Sequence, residues 1–208
     1  MTEMLNIIEE GIIKSADRAC EILRMGGIIA YPTDTIYGLG VDPEILKAVE
    51  KLYTMKERGD EKSVSLMLSG KEMLYEQFKD ISPLEKRIID NLFPGTITIV
   101  LNNPVNKIHL KETVGVRIPD NDFCRLLLEK YGKPITTTSV NKSGRPPAVS
   151  ASEVSNQFAN EIDLILDGGD SPQTKGSTVI RIVSEKIKVL REGILKEEDI
   201  MELIDASD

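Results

Sequence analysis

The chain has 208 residues, 40% apolar and 29% charged, with a net charge of −8, four Phe, five Tyr and no Trp. That is ordinary globular composition; the acidic balance argues against non-specific nucleic-acid binding over the whole surface, while leaving room for a local basic cleft. One histidine and two distant cysteines exclude a His-rich metal site and make a catalytic triad a poor fit. The first strand is expected at Leu5–Ile8 and a helix at Ser15–Met25, with Ser15 as N-cap, an apolar stripe of Ala16, Ala19, Cys20 and Leu23, and Gly26-Gly27 as its stop.

The stretch from Gly26 to Gly40 dominates the first half. Ile28–Tyr31 reads as a buried strand that Pro32 ends. Thr33, Thr35 and Tyr37 follow, then Gly38 and Gly40, which leave the backbone open to close approach. A helix is expected from Pro43 to about Lys56, with Asp42 as N-cap and Pro43 at its first position. A strand, a hydroxyl-rich Gly loop and a helix N-terminus can form an anion site; the same residues also serve an ordinary turn. Lys56 and Arg58 close this helix, where cations complement its dipole and Gly59 suits the C′ position.

Further along, Val64–Leu68 is a strand, Lys71–Phe78 and Pro83–Leu92 are helices, and Pro94-Gly95 turns the chain into strand Thr96–Leu101. In strand Thr113–Ile118, period two puts Thr113, Gly115 and Arg117 on one face, with Gly115 a bare floor between hydroxyl and guanidinium. Arg117 there wants an anion, either an acidic neighbour or a ligand. Helix Phe123–Tyr131 leads to strand Pro134–Val140, whose C-terminal end puts Ser139 and Asn141 on one face. Ser150 and Glu153 form a capping box for the next helix. Strand Asp163–Leu166, the turn Asp167-Gly-Gly-Asp170, an antiparallel pair Ser177–Val183 and Ile187–Arg191, and a closing helix Lys196–Ile204 complete the chain. The expectation is a single α/β domain, residues 1–208, around an open, twisted mixed sheet with flanking helices. The N-terminus is no signal peptide and no apolar run can span a membrane, which fits a cytoplasmic setting.

Standard phosphate-loop, H-E-x-x-H, C-x-x-C and G-x-S-x-G signatures are absent. Seven stretches, in order and at compatible spacing, nonetheless resemble the YrdC-like and YciO-like family of threonylcarbamoyl-AMP synthases: Gly26–Gly40, Lys56-Glu-Arg58, Phe93–Thr98, Val114–Pro119, Ser139–Gly144, Gly176–Val179 and Leu190–Gly193. The resemblance implies a YrdC-like fold around a basic concave cavity. It implies a nucleotidyltransferase that joins L-threonine, bicarbonate and ATP into threonylcarbamoyl-AMP, releasing pyrophosphate, with Mg²⁺ at the phosphates. It also implies partners: a downstream tRNA threonylcarbamoyl transferase acting on adenosine 37, and tRNA or double-stranded RNA itself.

By the same resemblance, Lys56 and Arg58 hold the ATP phosphates and carry catalysis, and Ser139 and Asn141 meet the adenylate and the threonyl group. Thr35, Arg117 and Ser177 are threonine-side positions; Lys62, Thr113 and Arg191 are nucleotide-side positions. The chain departs from the family pattern at Gly59, where Pro is usual, at Ser63-Val64, where Pro-Leu is usual, and at Met67, where many members carry a His near threonine. Ser65-Leu-Met-Leu is similar to the YciO-like branch, so a YciO-like or RNA-binding module without synthase activity is the alternative expectation. A carbamoyl-adenylate enzyme of the same fold is a third.

Overall fold

The computed structural model describes residues 1–57, 64–103, 109–142, 144–158 and 160–205. Its strands are β1 (Glu3–Asn6), β2 (Ile29–Tyr31), β3 (Gly38–Gly40), β4 (Ser65–Met67), β5 (Ile97–Asn102), β6 (Thr113–Arg117), β7 (Ile135–Ser139), β8 (Leu164–Asp167), β9 (Thr178–Val183) and β10 (Lys186–Arg191). Its helices are α1 (Ile7–Glu10), α2 (Ile12–Arg24), α3 (Leu46–Met55), α4 (Lys71–Gln77), α5 (Pro83–Leu92), α6 (Asp122–Tyr131), α7 (Ala151–Gln157) and α8 (Glu197–Asp205).

All ten strands join one mixed sheet in the order β1-β8-β2-β3-β7-β4-β6-β5-β9-β10. A sheet this wide must coil under its own twist, which makes one face concave. Alternation along the strands splits the core into layers. Ala30, Leu39 and Ile165 pack under α3 and α7, and Leu66, Val116, Ile99 and Ile180 pack under α4, α5 and α8, so this face is covered along its length. On the opposite face, Ile29, Tyr31, Met67, Ile135 and Leu164 pack only under α2 and α6. The remainder of that second face, over β7, β4, β6, β5 and β9, has no helix above it among the described residues, and there the polar alternates Thr98, Gly115, Thr137 and Ser139 form a hollow. Leu127 of α6 is fully buried in the layer under α2 and α6; truncating such a leucine to Ala typically costs about 2–5 kcal/mol.

Four local expectations are corrected. The first strand stops at Asn6, because its side chain accepts hydrogen bonds from the Ile8 and Glu9 amides at 2.9 and 3.2 Å and starts a helix. Ser15 is no cap: α2 begins at Ile12, and the buried Ser15 hydroxyl donates back to the Gly11 carbonyl at 2.9 Å. Helix α3 begins at Leu46 rather than Pro43. Asp42 is turned inward, accepting from the Glu44 amide at 2.9 Å and the Tyr131 hydroxyl at 2.5 Å while pairing with Lys133 at 2.8 Å. The expected anion site at that N-terminus is therefore filled by the protein's own carboxylate.

Gly38-Leu-Gly40 is a strand, not a loop, antiparallel to β2. A Cβ at Gly40 would lie 2.9 Å from the Tyr31 ring and 3.0 Å from the Thr136 carbonyl. Both glycines make room for that tyrosine, and Gly38 also lines the hollow. Two other expectations are half met. Ser150 accepts from the Glu153 amide at 3.3 Å, but Glu153 answers the Val149 amide instead of Ser150. Helix α3 closes at Lys56 with Glu57 in the left-handed region (φ 51°), two residues before Gly59, which was expected to take it.

Candidate active site

The hollow is a cavity of about 370 Å³. Six of the ten residues expected in a site line it: Thr35, Thr113, Arg117, Ser139, Ser177 and Arg191. They come from the loop after β2, from β6, from the end of β7, from the residue before β9 and from the end of β10, so only the folded sheet joins them. Lys56 and Asn141 do not line the cavity but adjoin it. The Lys56 side chain, 4% exposed, donates to the Ser139 carbonyl and to Asn141 Oδ1 at 3.4 Å. Ser139 Oγ donates to the same Asn141 oxygen at 2.5 Å. Asn141 is fixed in turn by donating to the Arg145 carbonyl at 2.8 Å. Lys56 is thus not a solvated cation at a helix end; it is buried against the Ser139–Asn141 corner. Arg58 and Lys62 lie outside the described residues, as do Gly59 and Ser63.

Arg117 is 6% exposed and has two of its nitrogens committed. Nη1 donates to Thr35 Oγ1 at 3.0 Å, and Nη2 pairs with Asp34 Oδ1. Nε is buried and without a partner. Both expectations for Arg117 therefore meet at one residue: an acidic neighbour holds it, and one donor is left over. Thr35 Oγ1 also lies 3.0 Å from Thr33 Oγ1, which donates to the Ile36 carbonyl at 2.7 Å and so holds the loop closed. Burial pushes the Asp34 carboxyl above its ordinary value even though Arg117 pulls the other way.

The cavity floor follows the sheet register. One rung runs Thr137, Ser65, Gly115, Val100, Arg181 across five strands. A Cβ on Gly115 would stand 2.4 Å from Ser65 Oγ and 2.9 Å from Thr98 Cγ2, so glycine is needed to keep the floor flat. Ser177 Oγ shares a 2.7 Å hydrogen bond with Thr98 Oγ1, and Arg191 Nη2 donates to the Ser177 carbonyl at 2.7 Å. Arg191 reaches the cavity because the β9–β10 ladder slips between Val189 and Arg191, setting Arg191 opposite Val179. A bulge of this kind re-aims a side chain. Without it Arg191 would turn to the covered face.

Sequence reasoning missed Asp34, Ser65, Thr98 and Arg181. Thr98, Val100, Val179 and Arg181 could have been found by extending to their strands the alternation used for β6. Asp34 carries no such signal, since its partner is 83 residues away. Met67 is fully buried in the apolar layer under α2 and α6 and does not border the cavity. Among the lining residues described, the charged ones are Arg117, Arg181 and Arg191, all cationic.

An α/β sheet with an uncovered concave face, hydroxyls on its floor and arginines at its walls defines a protein built to hold a small anionic ligand. The chain belongs to the Sua5/YciO/YrdC family, whose model, described as telomere recombination, matches residues 21–193. It is 35% identical over 179 residues to the threonylcarbamoyl-AMP synthase of Photobacterium profundum, covering 82% of this chain and 95% of that protein. It also superimposes on Pyrococcus abyssi Sua5 complexed with L-threonine, with a TM-score of 0.87 and 28% identity over 98% of this chain; it spans 61% of that protein's length. Escherichia coli YciO aligns with a TM-score of 0.85 and 28% identity, over 96% of this chain and all of that one. No helix among the described residues is long and apolar enough to cross a membrane.

Proposed function

We propose that this chain is a threonylcarbamoyl-AMP synthase, a nucleotidyltransferase that uses ATP, L-threonine and bicarbonate and works in tRNA modification. The observation that carries the reading is the convergence of Thr35, Thr113, Arg117, Ser139, Ser177 and Arg191 on one cavity.

The threonine carboxylate would approach Arg117, whose buried Nε–H lacks a partner. The Thr35, Ser177 and Thr98 hydroxyls around it would meet the amine and side-chain hydroxyl. Threonine's amine adds to bicarbonate with loss of water, giving a carbamate. A carbamate oxygen then attacks the α-phosphorus of ATP, the bond from that phosphorus to its bridging oxygen breaks, and pyrophosphate leaves. No nucleophilic side chain is needed. Lys56 and Arg58 would neutralise the phosphates, and Ser139 and Asn141 would orient the adenylate, so the barrier falls by positioning and charge stabilisation. Lys62, Thr113 and Arg191 complete the nucleotide side.

A magnesium ion would enter with the nucleotide. The described lining offers hydroxyls and no carboxylate, and no group of three or more metal-type side chains is gathered among the described residues. The ion's ligands would then be phosphate oxygens and water, a common arrangement for Mg²⁺. A transferase that moves the threonylcarbamoyl group to adenosine 37 of tRNA would act next.

The likeness to YciO favours one second reading: a module that uses this cavity without adenylation. The test is to incubate the purified chain with ATP, bicarbonate and labelled threonine and to separate the adenylates. A labelled threonylcarbamoyl adenylate that disappears in Arg58→Ala supports the synthase. Binding of ATP and threonine with no labelled adenylate supports the second reading.

A further inference from the structure

We infer that the outer strands β9 and β10 carry a second anion-binding position, formed by Arg181 and Lys188, for a short polyphosphate such as the triphosphate of a nucleotide or released pyrophosphate. Arg181 lines the cavity wall, half-buried, at the end of the rung that crosses Gly115 and Val100. Strands lie about 4.8 Å apart, so its backbone is roughly 10 Å from the bare floor at Gly115. Lys188 of β10 stands directly opposite Arg181 in the antiparallel ladder. Residues so paired share a face, and the neighbours Ile187 and Val189 pack into the covered core on the other face.

Two like charges in directly opposed positions destabilise a strand pair, by a few tenths to about 1 kcal/mol. Nothing among the described residues relieves this pair: neither the Arg181 nor the Lys188 side chain makes a hydrogen bond or an ion pair. The other cavity arginines are already engaged, Arg117 by Asp34 and Thr35 and Arg191 by the Ser177 carbonyl. Two unpaired cations side by side, in a chain of net charge −8, make a site for a compact polyanion.

Lys186 stands on the same face two residues before Lys188, and carboxylates bound the hairpin at both ends, Glu185 at its turn and Glu192 directly after Arg191. A nucleic-acid backbone laid along the hairpin would run past these carboxylates, whereas a polyphosphate of two or three groups would not. The inference deepens the synthase reading by adding a position for ATP or its leaving group. Its binding test needs neither threonine nor turnover.

The measurement is calorimetric titration of the full chain with inorganic tripolyphosphate, pyrophosphate and a non-hydrolysable ATP analogue, for wild type, Arg181→Gln, Lys188→Gln and Arg181→Lys. Tripolyphosphate affinity is expected to fall about tenfold in each Gln variant, the equivalent of one lost charge-assisted contact, and to recover in Arg181→Lys. A loss for pyrophosphate but not the analogue marks a leaving-group site; a loss for both marks the ATP tail; either supports the inference. Unchanged affinity for all three ligands in folded Gln variants overturns it. So does a Gln effect confined to RNA binding. If the adenylate assay fails while polyphosphate binding still depends on Arg181, the synthase reading falls and this one stands.

Discussion

Asp34 and Arg117 form a buried pair whose two halves should respond differently to removal. The Asp34 side chain is 9% exposed and that of Arg117 8%, so each relies on the other for its charge compensation. Asp34→Ala strands a guanidinium that has no neutral form to retreat to, and leaving such a charge unpaired costs about 3–5 kcal/mol. Arg117→Met strands a carboxyl, but burial already holds Asp34 above its ordinary value, and a proton can relieve it. In acid, below the ordinary aspartate value of about 3.9, that variant should lose only the hydrogen bonds, about 1–2 kcal/mol.

The pH dependence has a definite sign. Asp34's folded value lies above its unfolded one, more so without Arg117. The folded state then holds the extra proton, so stability is fully present in acid and lost as pH rises through the folded value. Each unit of that displacement is worth about 1.4 kcal/mol, so Arg117→Met should cost more at pH 8 than at pH 5. Urea denaturation of wild type, both single variants and Asp34→Asn/Arg117→Met at pH 5 and 8 provides the readout. The double variant should be milder than the sum of its parts by at least about 1 kcal/mol. Equal, pH-independent costs for the single variants, or simple additivity, would refute the reasoning.

Other outcomes follow from the same geometry. Gly193→Ala puts a methyl 2.3 Å from the Gly176 carbonyl oxygen and 2.4 Å from the Ser177 carbonyl carbon, and it endangers the 3.0 Å bond from the Gly193 amide to Thr178. Backbone cannot yield as a side chain can, so a loss of about 3 kcal/mol and a Tm lower by roughly 6–12 °C are expected in a thermal melt; a variant within 0.5 °C of wild type contradicts this. Burial raises the phenols of Tyr31, Tyr37, Tyr75 and Tyr131, Tyr37 to about 12, with Asp90 adding to Tyr75 and Asp42 to Tyr131. The folded state therefore holds those protons longer, so stability present below pH 10 should drain away as pH rises, and absorbance at about 295 nm should report phenolate release together with loss of circular dichroism. Early, gradual phenolate release from a still-folded protein would contradict it. Lys56→Met should lower kcat/KM for ATP by about 100-fold while leaving threonine affinity within a factor of about three; an equal loss for both substrates would place Lys56 elsewhere in the reaction.

Periodicity exposed most elements and much of the site. In β6 alternation put Thr113, Gly115 and Arg117 on one face, and the cavity lies on that face. In β7 it brought Ser139 towards Asn141, and the two are hydrogen-bonded. It failed where a side chain competes locally with the pattern. Asn6 and Ser15 bond nearby backbone groups and shift the helix starts. Asp42 has the credentials of an N-cap, yet Tyr131 and Lys133, some 90 residues on, draw it inward. Gly38 lines the cavity as its ligand-glycine reading expects, whereas Gly40 does not, because its true neighbour, the Tyr31 ring, is visible only once β2 and β3 pair. The bulge that swings Arg191 into the cavity has no sequence mark either, since one extra residue in a strand changes no composition.

The most direct test is an omission experiment on pyrophosphate release by the purified chain. With ATP, L-threonine and bicarbonate together, pyrophosphate should appear in proportion to threonine consumed, and leaving out any one of the three should reduce it to background. Release that ignores threonine, or none at all from a folded chain that binds both ATP and threonine, would contradict the account.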